Sequence, residues 1–215
     1  MPSDFPRSPK VFKGALVAYQ LPEPTPTIVV FQYNPEQLTR SLQARTADGG
    51  GRGEALRTDG PPQETISLAV EIDAADQLER KDPMALGVGL HPTLAALEGL
   101  MYPAYPTVIA NQLLANFGGS AILAEPAPLA LFVWGPSRVL PVRVESVSIT
   151  EQAFDTLLNP ILAKADLSLK VLTYRELEVS NPGYWVYMAS FTQKEKMARL
   201  NLALGADAVR GILPF

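Results

Sequence analysis

Cysteine is absent from the 215 residues, and histidine occurs once, at His91. Without thiols there is no disulfide, no thiolate nucleophile and no zinc–thiolate centre. With a single imidazole, any Ser-His-Asp arrangement has to run through His91, and no nucleophile motif flanks it in GLHPT. It reads as a loop histidine, and a transition-metal site meets the same shortage of ligands. No apolar run approaches the roughly 18 residues of a membrane span. The opening MPSDFPRSPK lacks the apolar region of a secretory signal, so synthesis in the cytoplasm is expected. Long basic runs are missing too, and the formal net charge is −4. That balance argues against nucleic acid as a partner and against a polybasic membrane anchor.

Apolar residues make up 47% of the chain, a globular composition. The 20 prolines fall in clusters such as Pro22 to Pro26, Pro61-Pro62 and Pro103 to Pro106. Proline is confined to turns, bulges and edges of sheets, so the pattern predicts many strands with elaborate connections. The densest strand signal runs from Leu129 to Leu172: LALFVWG, then LPVRVESVSIT, then KADLSLKVLTY. In the third segment Ala165, Leu167, Leu169 and Val171 alternate with polar residues, which buries one face and wets the other. In the second, Val142 and Val144 share a phase that Val147 and Ile149 break. One extra residue at Glu145 or Ser146 repairs the phase, as a β-bulge does.

Strands are also expected over 14–21, 27–33 and 66–73. A stiff proline connector joins the first two, and Asn34-Pro35 forms a turn. Residues 36–43 read as extended, although a short helix is the alternative. Residues 44–63, containing DGGGRGEALRTDGPP, read as a flexible insertion; with no Gly-Lys-Ser/Thr they are not a phosphate loop. Residues 76–91 read as a loop. Helices are expected over 93–102 and 106–117, the second stopped by Gly118-Gly119. Asn181-Pro182 predicts an N-cap with proline at the first helical position. Tyr184, Tyr187, Met188 and Phe191 follow at helical spacing to about Leu200. The organisation is an irregular arm (1–13), a β domain (14–178), and a helix with an apolar segment (179–215). The carboxylates Glu71, Asp73 and Asp76 lack a calcium-loop spacing and read as a solvated strand end. Trp134, Tyr184 and Trp185 each have two readings, as core packing or as interface anchors. Phe154 is expected to pack at a sheet end. Arg40 and Arg45 beyond the Asn-Pro turn have two readings, as solvated surface charges or as partners for carboxylates of another chain.

Taken together, several segments carry a resemblance. They are Phe31 to Pro35 with Arg40 following, Gly60 to Leu68, a helix with Leu94 and Leu97, Leu131 to Gly135, Val144 to Thr150, Phe154, and Leu167 to Leu169. Their order and spacing over roughly 11–178 resembles the N-terminal domain of contractile injection system tube and baseplate proteins, often fused to a LysM module. The resemblance implies a tube-like antiparallel β-barrel or sandwich with one or two packed helices, in a β-rich α+β class. It implies no enzyme activity and no cofactor. It also implies a place in the inner baseplate of a phage-tail-like particle, beside spike hub, tube and sheath-wedge proteins, in a ring of six copies without membrane insertion. A LysM module needs more residues than the helix and apolar segment after the barrel; that segment is expected either to pack on the chain's own core or to dock on a neighbour in place of such a module. On this reading the interface candidates are Tyr33, Asn34, Arg40, Trp134, Tyr184, Trp185, Leu213 and Phe215. Two other classes remain open: a small-ligand-binding β-barrel, and an enzyme working with carboxylates alone.

Overall fold

The computed structural model describes residues 12–19, 26–31, 33–46, 57–117 and 127–209, with side chains described as far as Asn201. Residues 1–11 of the expected N-terminal arm, 22–25 of the proline connector and 47–56 of the glycine-rich insertion, with Leu213 and Phe215, lie outside the described residues.

Seven strands form one antiparallel sheet: β1 (Ala15–Tyr19), β2 (Thr27–Val30), β3 (Leu38–Gln43), β4 (Gln63–Asp73), β5 (Leu129–Val133), β6 (Val139–Phe154) and β7 (Pro160–Val171). Their order is β2-β1-β5-β6-β7-β4-β3. Residues 36–43, ambiguous between helix and strand, supply β3. The β-rich α+β class is as expected. Closure is not: β2 and β3 end the sheet and do not pair with each other among the described residues, so the wall is not a closed barrel. Alternation dictates which face of a strand is buried. Closure depends on strand number, tilt and shear, which alternation does not encode.

One face of the sheet is the core. Leu16, Ala18, Val29, Ile66, Leu68, Val70, Phe132, Val142, Leu167 and Leu169 all lie on it, buried together with Leu90, Leu94, Leu97 and Leu100. The last four come from α3 (His91–Gly99) and its flanks, so this helix is the lid of the core. By contrast α4 (Tyr105–Asn116) buries no residue, and of the two expected helices only α3 is packed in this sense. Residues 76–91, read as a loop, instead hold the short helices α1 (Ala75–Glu79) and α2 (Pro83–Val88). The missed signal was Asp82-Pro83: the Asp82 carboxylate accepts from Met84 N at 2.8 Å, with proline in the first turn.

The β6–β7 hairpin is the longest pairing, and its register shifts between Val144 and Ser146, where the phase break placed it. The shift lets Val147 face Leu167 and Ile149 face Ala165, keeping both on the core side. A bulge bends its strand and increases the local twist. Gly14 is required by close approach: a Cβ there would stand 2.7 Å from Phe31 and 2.8 Å from the Trp134 ring. Finally α5 (Pro182–Val209) opens on the expected cap, with Gly183 N donating to Asn181 Oδ1 at 2.8 Å.

Candidate functional site

The described surface carries an open groove, several exposed apolar side chains and a buried ion triad. No group of three His, Cys, Asp or Glu side chains among the described residues is placed to hold a metal ion. Asp73, one of the clustered carboxylates, accepts from Ala75 N at 2.7 Å. His91 is exposed at the start of α3.

Asn34 is a structural clamp. Its Oδ1 accepts from Gly14 N at 2.9 Å, and its Nδ2 donates to the Phe12 carbonyl at 2.8 Å. Together with Phe31 N donating to Gly14 O at 2.8 Å, it ties the turn after β2 to the start of β1. Tyr33 beside it is exposed and lines an open groove of about 660 Å³ over β4 and β7, with Glu36, Gln37, Glu71, Lys164 and Asp166. β3 pairs β4 only along Gln63–Leu68, so on that side the edge of β4 from Ala69 to Asp73 has no strand beside it among the described residues.

Trp134 resolves toward packing: it is half-buried and stacks on Phe132 with ring centroids 5.8 Å apart. Phe154 does the opposite of what was expected. It is 47% exposed, because the hairpin runs past the core before turning. Beyond it Leu157 and Leu158 are 73% and 78% exposed on a tip that is held firmly. Asp155 Oδ1 accepts from Leu157 N at 2.7 Å and Asn159 N at 2.8 Å, while its Oδ2 accepts from Asn159 Nδ2 at 2.9 Å. These bonds, those from Asn159 foremost, hold the Asp155 carboxyl below the ordinary range. Leu158 stands at φ +64°, an unusual conformation for a leucine.

At the other end of the sheet, α5 is fastened by an ion triad. Glu64 shares the core phase of Ile66 and Leu68, and is 3% exposed. Arg40 Nε donates to its Oε1 at 2.7 Å, and Lys194 Nζ to its Oε2 at 2.9 Å. Burial pushes the Glu64 carboxyl up, but the bonds and charges of Lys194 and Arg40 outweigh it, so it stays below its ordinary value. Arg40 is thus neither a solvated charge nor paired with a partner in this structure: its carboxylate is supplied within the chain. Tyr187 is 6% exposed, and burial raises its hydroxyl above the usual range, with Glu64 adding to the effect. Next to the triad, Lys170 Nζ contacts Glu176 Oε1 at 2.7 Å, and Arg175 Nη1 bonds Asp59 Oδ1 at 2.8 Å. Gly60, at φ +89°, leaves room for the Arg175 side chain. Tyr184 meets Trp185 edge-on at 5.3 Å, and Trp185 remains 61% exposed with its Nε1 donating to Val179 O at 3.0 Å.

Sequence reasoning overlooked Glu64 and Lys194, although both carried a signal. An acid at a core-phase position of an alternating strand demands a cation, and Lys194 lies seven residues beyond Tyr187, on the same helical face. The chain matches no protein-family model and no curated protein sequence.

Proposed function

We propose that this chain is a structural, non-enzymatic subunit of the inner baseplate of a contractile injection system, joining the spike hub and tube to the surrounding sheath-wedge proteins. The observation that carries the reading is the pair of sheet edges that have no strand beside them among the described residues. β2 ends one side with Ile28 and Val30 56% and 51% exposed, and β3 ends the other with Leu42 52% exposed. Such edges present free backbone donors and acceptors beside apolar side chains. On an isolated molecule they invite aggregation; between ordered neighbours they are docking strands. A head-to-tail arrangement, with β2 of one copy meeting β3 of the next, closes into a ring when the rotation permits, and six copies is the number the resemblance implies. On this reading the particle is assembled in the cytoplasm, and a net charge of −4 argues against a nucleic-acid partner and against a polybasic membrane anchor.

The small-ligand alternative asks for an enclosed cavity. The groove beside Tyr33 is instead open, and it lies across the outward residues Ser67, Ala69 and Glu71 of β4, away from the leucine-filled core face.

The test is co-expression of a tagged chain with the products of its neighbouring genes, followed by low-resolution electron microscopy. Tagged chain at the baseplate end of phage-tail-like particles supports the reading. The variant Ile28→Lys/Val30→Lys, charged on the outward side of β2, is expected to fold with an unchanged urea midpoint and to be left out of particles. Particles that incorporate this variant at normal yield, or a gene neighbourhood without sheath, tube and spike proteins, overturn it.

A further inference from the structure

Among the described side chains, α5 is anchored only over its first part. Asn181 caps it, Tyr187 is buried and Lys194 reaches Glu64, but every residue from Lys194 to Asn201 is solvent-exposed. The helix continues to Val209. At 1.5 Å per residue, the part beyond Lys194 extends about 22 Å past its last anchor. It is an arm, and the sequence it carries forward is RGILPF, residues 210–215.

A socket lies at the opposite end of the same helix. Tyr19, Leu129 and Leu131, from the side of β1 and β5 opposite the core, meet Pro182, Gly183 and Val186 around an apolar cavity of about 190 Å³. An apolar cavity of about 150 Å³ is enough to take a benzene molecule, so a phenyl ring matches this one in size and chemistry. The chain's own Phe215 cannot fill it. From Val186 to Val209 the helix spans about 35 Å, whereas six residues fully extended cover at most about 20–22 Å.

We propose that the socket takes the Leu213-Pro214-Phe215 segment of a second copy of this chain, with the Phe215 ring in the cavity. Pro214 fixes its own φ and biases Leu213 toward an extended backbone, which lowers the ordering cost of such a segment. Arm and socket are different surfaces, so used head to tail the contact propagates around a ring or along a filament, whereas reciprocal exchange closes a dimer. It deepens the assembly reading by naming one copy-to-copy contact, and rests on that reading for its purpose though not for its geometry.

The test uses the full chain carrying Phe215→Ala, which leaves the socket without a competitor. A fluorescein-labelled peptide of residues 208–215 is titrated into it and followed by anisotropy. Saturable binding is expected, weakened at least about tenfold by Leu131→Glu and by Val186→Gln, two socket changes on different elements. Urea midpoints of both variants identify any loss that comes from unfolding. In sedimentation velocity, the wild-type chain is expected to associate with rising concentration, and Phe215→Ala to remove that association. Absence of peptide binding, binding indifferent to both socket variants, or association abolished by Phe117→Ala instead overturns the proposal. If the peptide fails while tagged chain still enters particles, the arm and socket fall and the baseplate reading survives. If the peptide binds but the chain enters no particle, the reverse holds.

Discussion

Removing Arg40 from the buried triad is expected to destabilise the protein far more than removing Lys194, although both hold the same carboxylate. The Arg40 side chain is 29% exposed and that of Lys194 44%, while the Glu64 side chain is 4% exposed. Breaking a buried pair from one side costs about 3–5 kcal/mol, because the remaining charge is left without its partner. Arg40, mostly buried, falls at the lower end of that range, so Arg40→Met should cost about 3 kcal/mol. Lys194 is screened by water, and Lys194→Met should cost about 1 kcal/mol. For a domain of this size those values lower Tm by about 6–12 °C and about 2–4 °C. Urea unfolding at pH 7 measures both. Hydrogen exchange locates them: faster exchange over β3 for Arg40→Met, and over α5 for Lys194→Met.

The pH dependence has a definite sign. The carboxyl of Glu64 lies below its ordinary value of 4.5 in the folded protein. The triad's contribution is therefore fully present above about pH 4.5 and is lost as pH falls through the folded-state value. The stability gap between wild type and Arg40→Met should narrow below pH 4.5. The triple variant Arg40→Met/Glu64→Leu/Lys194→Met, which removes all three charges, should recover most of the loss. Equal effects of the two single variants, or a triple variant no more stable than Arg40→Met, would refute the reasoning.

Two further outcomes follow from the geometry. Leu158→Gly should stabilise the isolated protein by about 0.5–1 kcal/mol in urea unfolding, since a leucine at φ +64° with 78% exposure gives up backbone energy and buries little; a loss of stability would mean that the leucine supports the fold. Gly14→Ala should cost about 1–3 kcal/mol, because the new methyl meets the Phe31 and Trp134 rings. An unchanged melting temperature would show that those rings move aside.

Much of the fold was legible because periodicity is a local property. The alternation in KADLSLKVL placed the buried face of β7, and the phase break after Val144 placed the bulge to within a residue. Leu94 and Leu97 marked the packed side of α3, and Asn181-Pro182 marked the start of α5. Residues 76–91 were misjudged because α1 and α2 are each one to two turns long, too short for a helical period to emerge. Phe154 was misplaced because a strand signal does not say where the core beneath it stops. The candidate surface was readable in part: Tyr33 and Trp185 are exposed, whereas Asn34, Arg40 and Trp134 turn out to be engaged inside the chain.

What the sequence determined by itself is the chemistry the protein lacks and the alternation that builds its strands. A chain without cysteine has no disulfide, no thiolate nucleophile and no zinc–thiolate centre, and this holds however it folds. Only the tertiary structure decided that β2 and β3 end the sheet unpaired among the described residues, that Glu64 binds Arg40 and Lys194 together, and that α5 is solvent-exposed from Lys194 to Asn201. The physical reason is range. Side-chain alternation is set by residues two apart, whereas the triad joins positions separated by 24 and 130 residues, which only the completed fold brings within 3 Å.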